Sequence, residues 1–434
     1  MMPARWRELV ALLPASLLVT AGFTAVLISR ATDVETVTVG YGVFFLACCV
    51  FAHLFIRARL PDADPYLFPL TAVLAAVGMV VIYRIDEEFA REQAQWFVVG
   101  LLLFCATIVF LRDYRVLERY RYTIAAAGLA LLVMPRLPVI GQQVNGAYLA
   151  VKIGPIQFQP AEFAKLGIII FLASYLNDTR AVLVRGRLTQ LSLKHFGPLL
   201  VVWGAAMVML VVIRDLGSSL MFFGGFLALL YVATARVSFV AIGLAMFLGG
   251  ATFFANNVSH VGERVSIWLD PFAPSVVDKA GYQIAQSLFA QADGGLFGRG
   301  FGQALLELPG AGTILPAPHT DLIYAVIANE LGLFGAAALI LVYLLFAARG
   351  LKIALISGEG FSKLLAAGLT AVFALQVFVI VGGVTRVIPL TGVTLPFVSY
   401  GGSSILANLV LLALLLTLSN EARRERWIGH GGVV

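Results

Sequence analysis

The sequence predicts an all-α, polytopic membrane protein that forms a single integral domain over residues 1–434. Of its residues, 60% are hydrophobic and only 12% are charged, whereas soluble chains average about 25% charged. The apolar residues come in continuous blocks rather than in periodic stripes. Several blocks reach the roughly 17–25 residues that a helix needs to cross the hydrocarbon core of a bilayer.

Twelve such blocks follow one another along the chain. We expect spans at residues 9–29, 38–56, 66–83, 95–111, 122–140, 163–177, 197–213, 217–235, 237–255, 321–347, 364–384 and 397–419. The fifth block fits least well because it contains Arg136 and Pro138, and the sixth is short. Two long connections, 141–162 and 256–320, interrupt the rhythm of short loops, and loops of such length are usually functional.

The basic residues set the expected orientation. They concentrate in connections on one side, as in the four arginines of residues 112–121, and cytoplasmic loops carry such an excess. Both termini should therefore be cytoplasmic and both long loops extracytoplasmic. The formal net charge of +6 then matches an anionic inner leaflet, and no interleaving of aromatic and basic residues indicates nucleic-acid binding. The first block is too long for a cleaved signal peptide, so we interpret it as a span.

Two polar clusters mark the predicted outer ends of spans. Glu162 and Lys165 are spaced i,i+3 near the start of a span, so they can pair on one helix face. Glu162 also suits a helix N-terminus, but an ionisable pair at membrane depth usually faces a cavity and has a function. Asp215 either caps the helix that follows it or contacts substrate, and the sequence favours neither interpretation.

The 256–320 loop contains the carboxylate that we consider first for chemistry. Asp270 lies between Trp268-Leu269 and Pro271, and such apolar flanks predict poor hydration and a raised proton affinity, as a general base requires. The alternative is that Asp270 opens an Asp-Pro turn. Spacing alone favours the turn.

Further polar residues follow in the same region. Residues 281–302 predict an amphipathic helix at the membrane interface, with Gln286 and Ser287, followed by tight glycine-rich backbone. The run His319-Thr320-Asp321 can cap the next helix, with Thr320 as the capping residue. Glu330 lies within an apolar helix, where it needs a partner or water.

The segment 385–404 interrupts the last two spans. Its prolines and glycines, which include Gly401 and Gly402, leave backbone groups without helical partners. Such backbone is tolerated at membrane depth only when it is buried in protein or lines a watery cavity. We therefore expect a polar pocket whose donors are Arg386, Thr391, Ser399, Ser403 and Ser404. A simple kinked linker is the alternative.

Four motifs, in this order and spacing, resemble the SEDS family, which includes RodA and FtsW. They are QPAEFAK, WLDPF with GYQIAQS, HTDLIYAVIANELG and IPLTGVTLPFVSYGGSS, and the resemblance extends from about residue 90 to 420. It implies a membrane-embedded peptidoglycan glycosyltransferase that polymerises lipid II among membrane lipids, beside a class B penicillin-binding protein. It implies ten core spans, so residues 1–60 would be two extra spans, as in actinobacterial members.

The resemblance also implies residue roles. Asp270 matches the essential loop aspartate, and Glu162 with Lys165 matches a motif pair. Asp215 matches a family turn, although Ile213-Arg214 departs from the usual Gln-Pro. The short C-terminal tail favours RodA and cell elongation over FtsW and division, without deciding between them.

The implied reaction is attack by a sugar hydroxyl on the anomeric carbon of a diphosphate-linked donor, with inversion. Asp270 would take the proton, while Lys165, Arg264 and Arg386 would face the departing diphosphate, and a divalent cation (Mg or Mn) could assist. The full set that we assign to substrate binding is Glu162, Lys165, Asp215, Arg264, Gln286, Ser287, His319, Thr320, Asp321, Glu330, Arg386, Thr391, Ser399, Gly401, Gly402 and Ser403.

Two other functions remain open. A lipid II flippase or other transporter would also be polytopic, but transporters place polar sites near the midplane of repeat-related halves. Here no repeat is evident and the polar clusters lie towards one side. The second alternative is a non-enzymatic scaffold that positions a penicillin-binding protein.

Overall fold

The computed structural model describes residues 4–29, 36–138, 140–144, 147–154, 156–185, 204, 215–274, 276–277, 279, 281–304, 306–308 and 312–430. Most of these residues are helical. The helices are α1 (Ala4–Ser29), α2 (Thr36–Arg59), α3 (Leu67–Ile85), α4 (Glu87–Phe110), α5 (Arg115–Arg119), α6 (Arg121–Val133), α7 (Ala161–Arg185), α8 (Leu216–Thr234), α9 (Val237–Asn257), α10 (Ser259–Leu269), α11 (Tyr282–Gly294), α12 (Ile323–Ile356), α13 (Gly360–Val384) and α14 (Gly402–His430).

The polytopic fold is confirmed. Within the described ranges, ten helices are long and apolar enough to cross a membrane, namely α1, α2, α3, α4, α7, α8, α9, α12, α13 and α14. The predicted span 122–140 is matched only by α6, a helix of 13 residues continued by one 3-10 turn, and such a helix is too short to cross alone. Apart from residue 204, the predicted span 197–213 lies outside the described residues.

Several predicted boundaries differ from those of the helices, and for two of them the structure shows the reason. The fourth span begins at Glu87 rather than 95, because Asp86 caps α4: its Oδ1 accepts from the N–H groups of Glu88 (2.7 Å) and Phe89 (3.1 Å). The last span begins at Gly402 rather than 397, since the preceding residues form a non-helical segment.

Two small antiparallel sheets accompany the helices. Strands β1 (Gly141–Val144), β2 (Ala147–Ile153) and β3 (Ile156–Phe158) pair in the order β1-β2-β3, while β4 (Glu307–Leu308) pairs with β5 (Gly312–Thr313). The sheets occupy the two long connections of the sequence. Strand pairing supplies hydrogen-bond partners for backbone groups that would otherwise have to bond to water.

The chain divides into two compact units. The first comprises Met1–Ile108, Arg264–Arg349 and Gln376–Leu416. The second comprises Val109–Glu263, Gly350–Leu375 and Thr417–Val434. In the first unit α1 packs against α2 and α3, and in the second α7 packs against α6 and α8.

A buried charged cluster joins the N-terminal helices to the rest of the first unit. Glu8 is fully buried, pairs with Arg5, and has its Oε1 3.2 Å from Nδ1 of His53 on α2. Arg5 also donates to the carbonyls of Pro61 and Ala63, just before α3. Because a buried charge without partners is costly, the pairing of Glu8 with Arg5 fixes α1 against the connection to α3, and His53 brings α2 beside the pair.

Helix α12 is interrupted at Gly332, which has φ 67° and ψ −169°. The N–H groups of Leu333 and Phe334, which the break deprives of helical partners, donate to the carbonyls of Gly295 (2.9 Å) and Leu296 (3.2 Å). The loop after α11 therefore replaces the missing turn of α12.

We expect Gly332→Ala to lower the thermal unfolding midpoint of the detergent-solubilised protein by several degrees. Its φ is left-handed, and a Cβ would lie 2.3 Å from the backbone N of Gly298. The control is Gly249→Ala on α9, where a Cβ meets nothing within 4 Å and alanine favours the helix. Equal midpoints for the two variants would contradict the assigned role of Gly332.

Candidate active site

Asp270 lies directly after α10 in the first unit. Its N–H donates to the Ser266 carbonyl (3.0 Å), and its Oδ1 accepts from the Phe272 N–H (3.2 Å), which forms the predicted Asp-Pro turn. The residue is exposed, so the expected poor hydration is wrong. Oδ2 accepts no hydrogen bond from any residue that the structure describes. The turn and an available carboxylate oxygen therefore coexist in the same side chain.

Two arginines connect α10 to the segment 385–401. Arg386 donates through Nε to the Trp268 carbonyl (2.8 Å) and through an Nη to the Leu269 carbonyl. The Trp268 indole N–H donates back to the Arg386 carbonyl (3.1 Å), and Arg264 donates to the Leu390 carbonyl (2.7 Å). Both arginines predicted to face diphosphate thus also contact protein carbonyls close to Asp270.

The segment 385–401 has no regular secondary structure, and most of its residues from 391 to 399 are buried. Tyr343 donates to the Pro396 carbonyl (2.7 Å), and Gln376 donates to the Thr394 carbonyl (2.9 Å). The Ser399 hydroxyl donates to the Thr320 carbonyl (2.6 Å). Side chains from the surrounding helices therefore satisfy the carbonyls that a continuous helix would have paired.

The hydroxyl groups of this region correct the predicted pocket wall in one respect. Thr391, Ser399, Ser403 and Ser404 are all buried, and Ser399 also accepts from the Leu395 N–H (2.9 Å). The Ser399 hydroxyl holds the fold of the segment instead of standing ready for a ligand.

Gln93 on α4 is a residue that the sequence analysis missed. It is 1% exposed, its amide nitrogen donates to the Ser399 carbonyl (3.0 Å), and its amide oxygen accepts from the Gly401 N–H (3.1 Å). One turn further, the Trp96 ring packs so closely on Gly402 that a Cβ there would lie 2.5 Å from it. The available signal was a glutamine and a tryptophan at i,i+3 spacing, where the polar first turns of α4 give way to its apolar remainder.

Residues 319–321 lie against the segment 385–401. The His319 ring packs on Phe89 (4.3 Å between centroids) and on Tyr400 (5.7 Å), and burial lowers the pKa of His319. The predicted Thr320 cap is wrong: its hydroxyl lies within hydrogen-bond distance of the Ala317 carbonyl (3.2 Å) and of Asp321 Oδ1 (3.1 Å). Burial raises the pKa of the Asp321 carboxyl, which Thr320 partly offsets.

Glu330 has the partner that its position requires. Arg84 on α3 donates to Glu330 Oε1 (3.0 Å) and to the Ala304 carbonyl (2.7 Å), and the Ala304 N–H also approaches Oε1 (3.3 Å). This buried ion pair ties α3 to α12 and to the loop after α11. Its geometry indicates a structural role.

Helix α11 confirms the amphipathic helix predicted within 281–302. Ser287 is fully buried and donates to the Val384 carbonyl (3.2 Å), which also accepts from Gln291 (2.9 Å). Gln286 is half-buried. Helix α11 therefore packs on the end of α13 through the face that carries Ser287.

The remaining predicted residues belong to the second unit. The i,i+3 pair is confirmed: Lys165 Nζ lies 2.5 Å from Glu162 Oε2, and both side chains are buried in the first turns of α7. Asp215 caps α8 by accepting from the Ser218 N–H (2.9 Å), as one of its two interpretations required. These three residues thus have well-defined structural contacts of their own.

A protein-family model described as "Cell cycle protein", which covers FtsW, RodA and SpoVE, matches residues 65–424. This chain belongs to the FtsW/RodA/SpoVE family. The match includes all four motifs of the predicted resemblance, which is confirmed, and it begins after α1 and α2.

Relatives of the family place the chain more closely. It is 40% identical over 421 residues to peptidoglycan glycosyltransferase RodA of Mycobacterium tuberculosis, which covers 93% of this chain and 88% of the relative. It is 30% identical over 373 residues to stage V sporulation protein E of Bacillus subtilis, covering 83% and 98%. The identity to a mycobacterial RodA confirms the predicted actinobacterial type.

Solved structures of the family share the fold. A chain from a peptidoglycan synthase complex that coordinates polymerization and crosslinking superposes with a TM-score of 0.67 at 29% identity, covering 83% of this chain and 98% of that one. RodA of Thermus thermophilus superposes with a TM-score of 0.59 at 27% identity, covering 84% and 98%.

We expect Gln93→Leu to loosen the family's broken-helix segment. The change leaves the Ser399 carbonyl and the Gly401 N–H without their partner, and each unsatisfied buried group costs about 1–3 kcal/mol. Amide hydrogen exchange should accelerate over residues 395–401. Gln95→Leu, at an exposed position of the same helix, serves as the matched control, and identical exchange in both variants would contradict the prediction.

The raised pKa of Asp321 predicts a pH dependence of stability. The folded state binds the Asp321 proton more tightly than the unfolded state, so protonation of this carboxyl stabilises the fold. This stabilisation is complete below the ordinary aspartate pKa of about 4 and is lost as pH rises through the folded-state pKa. Asp321→Asn should therefore raise the thermal midpoint at neutral pH and change it little near pH 4.

Asp293 provides a control of opposite sign. Its hydrogen bond with Arg299 lowers the pKa of Asp293, so that contribution is present at neutral pH and lost on acidification. Asp293→Asn should not raise the midpoint at neutral pH. A midpoint that is unchanged by Asp321→Asn from pH 4 to 8 would contradict the assigned shift.

Proposed function

We propose that this chain is a peptidoglycan glycosyltransferase that polymerises lipid II into glycan strands. The single observation that carries the proposal is its 40% identity, over 93% of its length, to a relative named peptidoglycan glycosyltransferase RodA. The position of Asp270 supports the same activity, because an exposed carboxylate at a helix end can reach a sugar hydroxyl.

The reaction joins an acceptor hydroxyl to the anomeric carbon of the donor. As the new glycosidic C–O bond forms, the bond from that carbon to the diphosphate oxygen breaks, and the polyprenyl diphosphate departs with the electron pair. The hydroxyl proton passes to Asp270, for which Oδ2 is the available oxygen because Oδ1 accepts from Phe272. Attack opposite the leaving group inverts the anomeric centre.

The departing diphosphate needs cationic groups or hydrogen-bond donors, since negative charge develops there. A guanidinium has five N–H donors, and the described contact of Arg264 uses one of them, so Arg264 can still contact substrate. Lys165, which the sequence predicts as a second positive charge, lies in the second unit, where it is buried beside Glu162. Ser287 and Ser399 contribute by donating hydrogen bonds to the backbone carbonyls of Val384 and Thr320.

The divalent cation remains a prediction. Among the described residues, no group of three or more histidine, cysteine, aspartate or glutamate side chains comes together to hold a metal ion. We therefore assign no step of the reaction to a metal.

The proposal includes a partner and a location. A solved relative comes from a peptidoglycan synthase complex that couples polymerization to crosslinking, which supports a class B penicillin-binding protein as the partner. The distribution of basic residues supports cytoplasmic termini and an extracytoplasmic site in the cytoplasmic membrane. The similarity to RodA supports a role in elongation.

We expect Asp270→Asn to reduce polymerisation of purified lipid II by about 100-fold or more, because general-base catalysis contributes roughly 10²–10⁴. The assay uses the full chain in proteoliposomes with its partner, and glycan products are separated by gel electrophoresis. Asp293→Asn, an exposed carboxylate of the same long loop, should polymerise normally.

Each alternative gives a different result. Normal polymerisation by Asp270→Asn shows that the base is another group. A parent protein that moves lipid II across the bilayer without polymerising it is a flippase. A parent protein that binds its partner but neither polymerises nor transports is a scaffold.

A further inference from the structure

We infer that Arg386 is a positioning residue, which holds the end of α10 so that Asp270 presents its carboxylate in one orientation. The inference rests on the proposed function, in which Asp270 is the base. It differs from the role that the motif resemblance implies for Arg386, which is to face the diphosphate of the substrate.

The first observation is what the guanidinium contacts. The last carbonyls of a helix have no intrahelical donor, and those of Trp268 and Leu269 are two such groups. Arg386 donates to both of them, through Nε (2.8 Å) and through an Nη. A cation at this end also opposes the partial negative charge of the helix dipole.

The second observation is the bond in the opposite direction. The Trp268 indole N–H donates to the Arg386 carbonyl (3.1 Å), so each of the two residues supplies one side-chain donor and one backbone acceptor. We call these contacts the Trp268–Arg386 clamp. A single exposed arginine on a carbonyl would fluctuate, whereas the paired hydrogen bonds restrict both the end of α10 and the segment 385–401.

The third observation is the backbone of Arg386, whose φ is 61°. This left-handed conformation is unfavourable for any residue with a Cβ, and it persists only where the surroundings over-determine it. Here it turns the carbonyl towards the indole while the guanidinium reaches the end of α10. At this position glycine would fit the backbone, but the long side chain of arginine makes the contacts with the end of α10.

The clamp acts on Asp270 through the chain. Asp270 follows Leu269 directly, and its N–H closes the final turn of α10 on the Ser266 carbonyl (3.0 Å). Its Oδ1 is fixed by the Phe272 N–H, so the direction of Oδ2 follows from the direction of the helix end. The described contacts of the Arg386 guanidinium are with backbone carbonyls. Loss of these contacts can still slow the reaction, because a displacement of about 1 Å at a reacting group can cost 100-fold in rate.

The test compares Arg386→Gln, Arg386→Lys and Trp268→Phe in the lipid II polymerisation assay, with the double variant Trp268→Phe/Arg386→Gln. Trp268→Phe removes the indole donor and leaves the charge of Arg386 in place. If the clamp positions Asp270, each single variant lowers kcat about 10- to 100-fold with KM within twofold of the parent. The double variant is no worse than the poorer single one, because both changes break the same clamp.

Arg386→Lys distinguishes the effect of charge from that of geometry. Lysine keeps the positive charge but lacks the planar guanidinium that donates to two carbonyls at once. Arg386→Lys should therefore be as slow as Arg386→Gln. Normal rates for Trp268→Phe and Arg386→Lys, together with a raised KM for Arg386→Gln, would overturn the inference in favour of a diphosphate contact. Arg299→Gln, an exposed arginine of the same long loop, is the matched control and should keep the parent rate.

A second measurement separates this inference from the proposed function. Hydrogen exchange at the Asp270 and Phe272 amides should accelerate in Arg386→Gln and Trp268→Phe at unchanged exchange of α14. Unaltered exchange at these amides overturns the clamp alone. Normal polymerisation by Asp270→Asn overturns the role of the aspartate, and with it the catalytic consequence of the clamp.

Discussion

The need to satisfy backbone hydrogen bonds in an apolar environment governs the first unit. Residues 385–401 leave the helix, and most of residues 391–399 are buried, so the carbonyls and N–H groups there require partners from elsewhere. Gln93, Tyr343 and Gln376 supply them from three different helices. The segment is thereby held by its surroundings rather than by its own periodicity.

This requirement separates what the sequence predicts from what it does not. Hydropathy predicts the long spans, and the density of proline and glycine predicts the interruption after α13, because both effects are local. The i,i+3 pair Glu162–Lys165 is equally local and is confirmed. In contrast, Gln93 meets Gly401 across more than three hundred residues, and no local pattern specifies that contact.

Asp270 shows the same limit from the opposite direction. Its apolar neighbours in sequence suggested a shielded carboxylate, but neighbours in sequence need not be neighbours in space, and at the end of α10 the side chain is exposed. The turn formed by its Oδ1 was also predictable, and it does not exclude chemistry at Oδ2. Structural and catalytic interpretations of a residue can apply to different atoms of one side chain.

Several residues predicted to bind substrate have structural partners. Glu330 pairs with Arg84, and Ser287 holds the end of α13. A buried polar group in a membrane protein must be paired whatever its function, so its presence alone does not identify a binding site.

The break at Gly332 has a mechanical consequence. The nine residues of α12 before it are bonded along their end to the loop after α11, while the longer remainder continues as the span. The same loop is also bonded to the residues after the break, since Leu333 and Phe334 donate to the carbonyls of Gly295 and Leu296, so a force applied to the loop would act on both parts of α12. A change in the angle between the two parts would therefore strain the hydrogen bonds that the loop makes on either side of Gly332.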